Sequence, residues 1–253
     1  MFNPLDYPFL ILAVSPPVFW SAAWLGSKFG ARRAKQIEQS VESFQLVLGG
    51  TLTLLGLIIG FTFAMAVSRY DQRKNYEEDE ANAIGTEYLR TDLLPPSEAS
   101  QVRQLLGRYL SQRILFYTSR DERRLQQAQA ETARLQTEMW SVVARHAAAQ
   151  PTQVAALAVQ GMNDVLNSQG YTQAAWWNRI PLGAWLLLIL IAIFCNFFIG
   201  YSAHGRRGAG LLILPFALSI TLFLISDIDD PRGGAIRVHP QNLESFAESL
   251  RPP

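Results

Sequence analysis

The sequence is poor in the residues that do most catalytic and metal chemistry. It contains a single cysteine, Cys195, and only three histidines, His146, His204 and His239. Cys195 has no partner for an intrachain disulfide, and the four residues lie too far apart for the spacing of a transition-metal site. A phosphate-binding glycine loop, a G-x-S-x-G elbow and an H-E-x-x-H pair are all missing. His146, in VARHAAAQ, has no acid or nucleophile beside it and reads as a surface helix residue. These absences argue against an enzyme and against a bound cofactor. Charge is also scarce, at 17% of residues, and almost balanced, with 22 Lys and Arg against 21 Asp and Glu. A net charge of +1 gives no electrostatic basis for nucleic-acid binding.

The scarcity of charge is uneven. No Asp, Glu, Lys or Arg occurs in 7–27, 43–68, 180–205 or 208–226. A helix crosses about 30 Å of hydrocarbon with about 20 apolar residues, so each window is one bilayer thick. The predicted spans are 7–27, 46–68, 181–202 and 209–226. Pro16 and Pro17 fall inside the first and Pro215 inside the fourth, where kinks are expected. Trp20 and Trp24 sit near the end of the first span, and Trp176, Trp177 and Trp185 precede or open the third, as an interfacial aromatic belt would. The first block lacks the basic start of a secretory signal, since Asp6 is the only charge before Lys28. Four buried helices of a soluble protein are the alternative, but such helices seldom stay free of charge for so long.

The stretch between spans two and three reads as helical throughout. No proline interrupts the chain from span two to Leu94, so one long helix is expected to continue until Pro95 and Pro96. Ser97 is the predicted cap of the next helix, with Val102, Leu105, Leu106, Tyr109, Leu110, Ile114 and Tyr117 at helical spacing. Asp121 is the predicted cap of a third, with Leu125, Ala128, Leu135, Met139, Trp140 and Val143 inward. A fourth is expected from about residue 152 to 167, closed by Gly170. No strand pattern or fixed-period repeat occurs. The fold class is therefore all-α: an integral membrane protein with four transmembrane helices and a large helical insert between spans two and three. The expected domains are 1–68 and 181–227 in the membrane, 69–180 outside it, and a polar tail, 228–253, only partly ordered.

Lys28, Arg32, Arg33 and Lys35 on the first link, with Arg206 and Arg207 on the last, favour the short links being cytoplasmic by density. Arg69, Arg73, Lys74, Arg179, Arg232, Arg237 and Arg251 lie on the other side, so the raw count does not decide. Span two has two unlike faces. Gly49, Thr53, Gly56, Gly60 and Ala64 permit close helix packing, and Thr53, Leu57, Phe61 and Met65 form an i, i+4 row. Periodicity alone favours packing inside one bundle; a row facing a shared pore, gated by dewetting, is the functional reading. Asn196 is expected to hydrogen-bond across helices, and Arg69 with Asp71 to anchor the interface. No block holds a buried charge, which leaves a proton relay or coupled transporter without support. Glu77, Glu78, Asp79 and Glu80 form a compact acid run, read either as a solvated helix face or as a cation-attracting vestibule.

The stretch from Gly60, GFTFAMAVSRYDQRKN, resembles the second membrane helix of bestrophins. Residues 178–185, NRIPLGAW, resemble the bestrophin approach to the third span, and 227–233, DIDDPRG, resemble the acidic segment just after the fourth. The closer likeness is to bacterial four-span proteins called bestrophin-like, which combine GFTFAMAVSRYDQR, DEANAIGTEYLRTDLLP and DIDDPRGGAIRV. The likeness covers 46–94 and 178–238. It implies a homo-pentameric ion channel of the bacterial inner membrane, with lipid and inorganic ions as its partners and a central pore lined by span two. Aligned on Gly-Phe, three apolar neck positions fall on Thr53, Leu57 and Phe61, of which Thr53 departs from the pattern. Asp227, Asp229 and Asp230 match the start of the acidic run that helps hold calcium in animal members. Arg232 and Gly234 replace later positions, and three carboxylates fall short of the six or more oxygens calcium takes; solvated aspartates at a helix end are the alternative. The resemblance puts the insert in the cytoplasm, opposite to the side favoured by link charge density. A non-conducting membrane scaffold or sensor is the alternative function, and a membrane enzyme a distant third.

Overall fold

The computed structural model of the chain describes residues 7–32, 41–203 and 210–251. Asp6, Arg33, Lys35, His204, Arg206, Arg207 and Ala209 lie outside the described residues. Helices are α1 (Pro8–Arg32), α2 (Val41–Arg90), α3 (Pro96–Thr118), α4 (Glu122–Ala149), α5 (Gln153–Trp177), α6 (Leu182–Ser202), α7 (Gly210–Asp229) and α8 (Gln241–Ser249). A 3-10 turn, Thr91–Leu93, follows α2, and no strand occurs among the described residues. The chain is an all-α integral membrane protein: α1, the apolar part of α2, α6 and α7 are its four spans, with the helical insert between the second and third.

Local chemistry sets most helix ends. The proline-free run of α2 gives 50 continuous residues, ended before Pro95. Pro96 occupies the first turn of α3, where its missing N–H costs nothing. Ser97 thus lies inside that helix and caps nothing; Pro95 holds the cap position without a side-chain bond. The Asp121 carboxylate accepts from the backbone N–H of Arg123 at 2.8 Å and of Arg124 at 3.3 Å, capping α4. Thr152 Oγ1 caps α5 by accepting from Ala155 N–H at 3.0 Å. α5 does not close at Gly170 but runs to Trp177. Thr172, Ala175 and Trp176 beyond that glycine are buried, and their packing outweighs the modest cost of a mid-helix glycine.

The chain divides into two compact units. The first comprises Met1–Tyr70 and Arg179–Arg237. Its core gathers Phe19, Leu55, Ala66, Trp185, Leu188, Ala192, Cys195, Leu218, Leu222 and Ile225 from all four spans. Hydrocarbon offers no water to unpaired backbone groups, and hydroxyls near the internal prolines supply extra bonds. Ser21 Oγ donates to Pro17 O at 2.6 Å and Ser219 Oγ to Pro215 O at 2.7 Å. The helices α1 and α6 approach each other closely. A Cβ added at Gly26, Gly30 or Gly200 would run into backbone carbonyls of Phe197, Tyr201 or Ala23 respectively.

The second unit comprises Asp71–Asn178 and Val238–Pro253. Its core holds Val102, Leu105, Leu106, Tyr109, Leu110 and Tyr117 from α3 and Leu125, Ala128, Leu135, Met139 and Val143 from α4. The tail expected to be only partly ordered contains a packed helix, α8, with Leu243 fully buried. Pro240 gives α8 no side-chain cap. Glu77 supplies it from a distant part of the sequence, accepting from the N–H groups of Asn242 and Leu243 at 3.0 Å each and from Asn242 Nδ2 at 2.7 Å. A cap contributed across that separation leaves no local sequence signal.

Candidate pore face on the second span

Span two is the least covered of the four: 11% of its most apolar window is buried, against 44% for α7. Leu55, Thr62 and Ala66 turn into the chain's own core. Leu57 is 54% exposed and Phe61 63%, and Thr53 and Met65 are exposed on the same row. Gly49, Gly56 and Gly60 have nothing within 4 Å of where a Cβ would sit. Among the described residues the small-residue stripe of α2 is therefore unused within one chain; in the membrane-spanning unit the glycines that permit close packing are those of α1 and α6. Thr53 Oγ1 donates to Gly49 O at 2.9 Å, so its hydroxyl proton is spent inside the helix.

The acid run divides in two. Glu78 and Asp79 are exposed, whereas Glu77 and Glu80 are buried. Glu77 is used in capping α8. Glu80, at 0% exposure, forms an ion pair with Arg113 Nε, and its Oε2 accepts from Arg113 Nη2 at 3.3 Å, Tyr117 OH at 3.3 Å and Thr172 Oγ1 at 3.1 Å. The Arg113 guanidinium lies over the Phe116 ring, 4.5 Å from its centre. Burial, then the Glu80 charge, pushes the Tyr109 and Tyr117 phenols well above their ordinary range. Burial alone would lower Arg113, but the Glu80 carboxylate outweighs it and keeps the guanidinium charged.

The three aspartates at the end of span four are buried, and all accept from backbone N–H groups. Asp227 accepts from Ala235 N–H at 2.7 Å and Ile236 N–H at 2.8 Å. Asp229 accepts from Ile180 N–H at 3.1 and 3.2 Å and lies 3.6 Å from Arg69 Nη1. Asp230 pairs with Arg179 and accepts from Gly233 N–H at 2.7 Å and Arg232 N–H at 3.3 Å. They are thus not the solvated helix end weighed from sequence. A Cβ on Gly234 would press on Asp227 Oδ1 at 2.6 Å, so glycine there lets the loop close over the carboxylate. Among the described residues no group of three or more His, Cys, Asp or Glu is placed to hold a metal ion.

The Bestrophin-like domain matches residues 13–243. The chain belongs to the Bestrophin-like family. Solved structures similar to it include two variants of a bacterial bestrophin homologue from Klebsiella pneumoniae. One has 15% identity and a TM-score of 0.64 over 93% of this chain and 97% of that one. The other has 14% identity and a TM-score of 0.67 over 94% and 98%. A third is described as a membrane protein, with 13% identity and a TM-score of 0.67 over 92% and 96%. At such identities the likeness to these structures is one of fold. No curated protein matches the sequence.

Within this Bestrophin-like chain several polar residues behave otherwise than their local sequence suggests. His146 is a buried residue, not a surface one, with Nδ1 3.0 Å from Glu98 Oε2. Asn196 Nδ2 donates to Ala192 O of its own helix at 2.7 Å, not across helices, and its Oδ1 accepts from no donor. Arg69 anchors a protein carboxylate, Asp229. Glu87 is fully buried, and no pattern in the local sequence marks it. The close packing of α1 does have a local signal, since Ala22, Gly26 and Gly30 repeat at four residues along that helix.

Proposed function

We propose that the chain assembles as a homo-pentamer in a bacterial cytoplasmic membrane and passively conducts inorganic ions through a central pore lined by α2. Thr53, Leu57 and Phe61 form the neck. The observation that carries this reading is the bare row on α2, where Leu57 and Phe61 are each more than half exposed on the least covered span. An apolar span exposes a bulky row to lipid, to another subunit or to a pore. Membership of the Bestrophin-like family favours the pore. Rings of Leu and Phe would gate by dewetting, with no bias for either ion sign. The Thr53 hydroxyl, bonded to Gly49 O, presents less polarity to such a ring than its residue type suggests.

The membrane part is 1–68 with 181–227, and the extramembrane helical domain 69–180 takes in α8 of the segment 228–253. Of the acid run, Glu78 and Asp79 stay free to form a vestibule. Glu77, Glu80, Asp227, Asp229 and Asp230 serve structure. The exposed Leu186, Leu187, Leu190 and Phe194 of α6 meet lipid. No catalysis is involved. Purified protein in liposomes is expected to support ion flux that Phe61→Ala changes severalfold. Silent liposomes containing assembled protein would contradict the reading.

A further inference from the structure

Glu87 differs from every other buried carboxylate named above. Glu77, Glu80, Asp227, Asp229 and Asp230 each accept from named donors. Glu87, on α2, is 0% exposed, and neither of its oxygens has a hydrogen-bond partner. Gly161 of α5 lies directly against it: an added Cβ there would collide with both Glu87 Oε2 and Arg90 Nη1. Arg90, one turn along α2, borders the same spot and stands between two carboxylates without bonding either. Its Nη1 stands 3.8 Å from Asp164 Oδ2 and makes no hydrogen bond. Asp164 in turn accepts from Gln160 Nε2 at 3.0 Å. The charged groups acting on Glu87 are thus Arg90 from its own helix and Asp164 from α5.

A buried, unbonded carboxylate is costly, and such a group keeps its proton instead. Burial raises Glu87 most, Asp164 adds to the rise and Arg90 opposes it, leaving the group at about 8 against an ordinary 4.5. We propose that Glu87 is a proton-binding site that switches the α2–α5 contact: protonated, it lies neutral and unpaired against Gly161, and ionised, it draws Arg90 from Asp164 into a buried ion pair. The step releases one proton to solvent and shifts a guanidinium that already borders both carboxylates from Asp164 towards Glu87. It needs no co-reactant.

The linkage has a definite sign. In the unfolded chain Glu87 ionises near 4.5, whereas in the folded chain it holds its proton to about 8. The stability from the neutral form is complete below the lower value and is lost as pH rises through the higher one. The test is thermal unfolding of the full chain in detergent across neutral pH, with infrared detection of the protonated carboxyl. The wild type should lose melting temperature towards pH 8, with a carboxylic-acid band that fades over the same range. Glu87→Gln should remove both the loss and the band. Asp164→Asn, which takes away a like charge, should shift the loss to lower pH, and this decides the matter if Glu87→Gln does not fold. A full pH dependence retained in Glu87→Gln, a missing band, or an unmoved profile in Asp164→Asn would each overturn the proposal. None of these readouts depends on conduction.

Discussion

At the residue scale, one added carbon separates two kinds of glycine. A Cβ on Gly200 would overlap the Ala23 carbonyl oxygen, with the Ala23 carbonyl carbon at 2.6 Å and Cα at 2.9 Å. These are backbone atoms that no rotamer change can move, so α1 and α6 must separate. Overpacking a tight core costs about 1–3 kcal/mol, and Gly200→Ala is expected at or above the top of that range. Gly183→Ala, on the same helix with nothing within 4 Å, is the matched control and should leave the detergent melting temperature unchanged. Equal effects in the two variants would contradict the packing described. The same contrast explains why the stripe of span two misleads when read alone. Spacing shows that Gly49, Gly56 and Gly60 permit a close approach, but what approaches depends on surfaces beyond one chain.

At the scale of elements, the long α2 helix holds side chains of opposite fate one or two positions apart. Glu80 is locked to Arg113, Tyr117 and Thr172, while Glu78 faces water. Removing one partner of a buried ion pair costs about 3–5 kcal/mol, because the other charge is stranded. Glu80→Ala should lower unfolding stability by that order, and Glu78→Ala should stay within about 0.5 kcal/mol, as exposed substitutions do. Denaturant titration of both variants checks this, and equal losses would count against the assignment. The helices themselves were largely legible, because apolar periodicity, proline placement and the caps Asp121 and Thr152 are local signals. The fates of individual acids were not. Glu77 caps a helix 165 residues later, and the partners of Glu80 come from α3 and α5. A four-residue acid run says nothing of either. The same holds for the tail, whose polar composition hid a helix capped by a carboxylate far upstream.

At the scale of the molecule, the solvent is what organises everything. Four charge-free stretches become four spans because hydrocarbon rejects charge and unpaired backbone. Family membership adds a Bestrophin-like fold. What one chain leaves bare then becomes informative: the row Thr53, Leu57, Phe61 and Met65 on α2 lacks cover that α7 has in abundance. A structure of the purified particle in detergent or nanodiscs tests the central claim most directly, because it yields subunit count and side-chain direction together. The expected result is five copies about one axis, with Leu57 and Phe61 pointing at it. A monomer or dimer, or a ring in which those two side chains face lipid, would contradict the pore and favour a non-conducting scaffold.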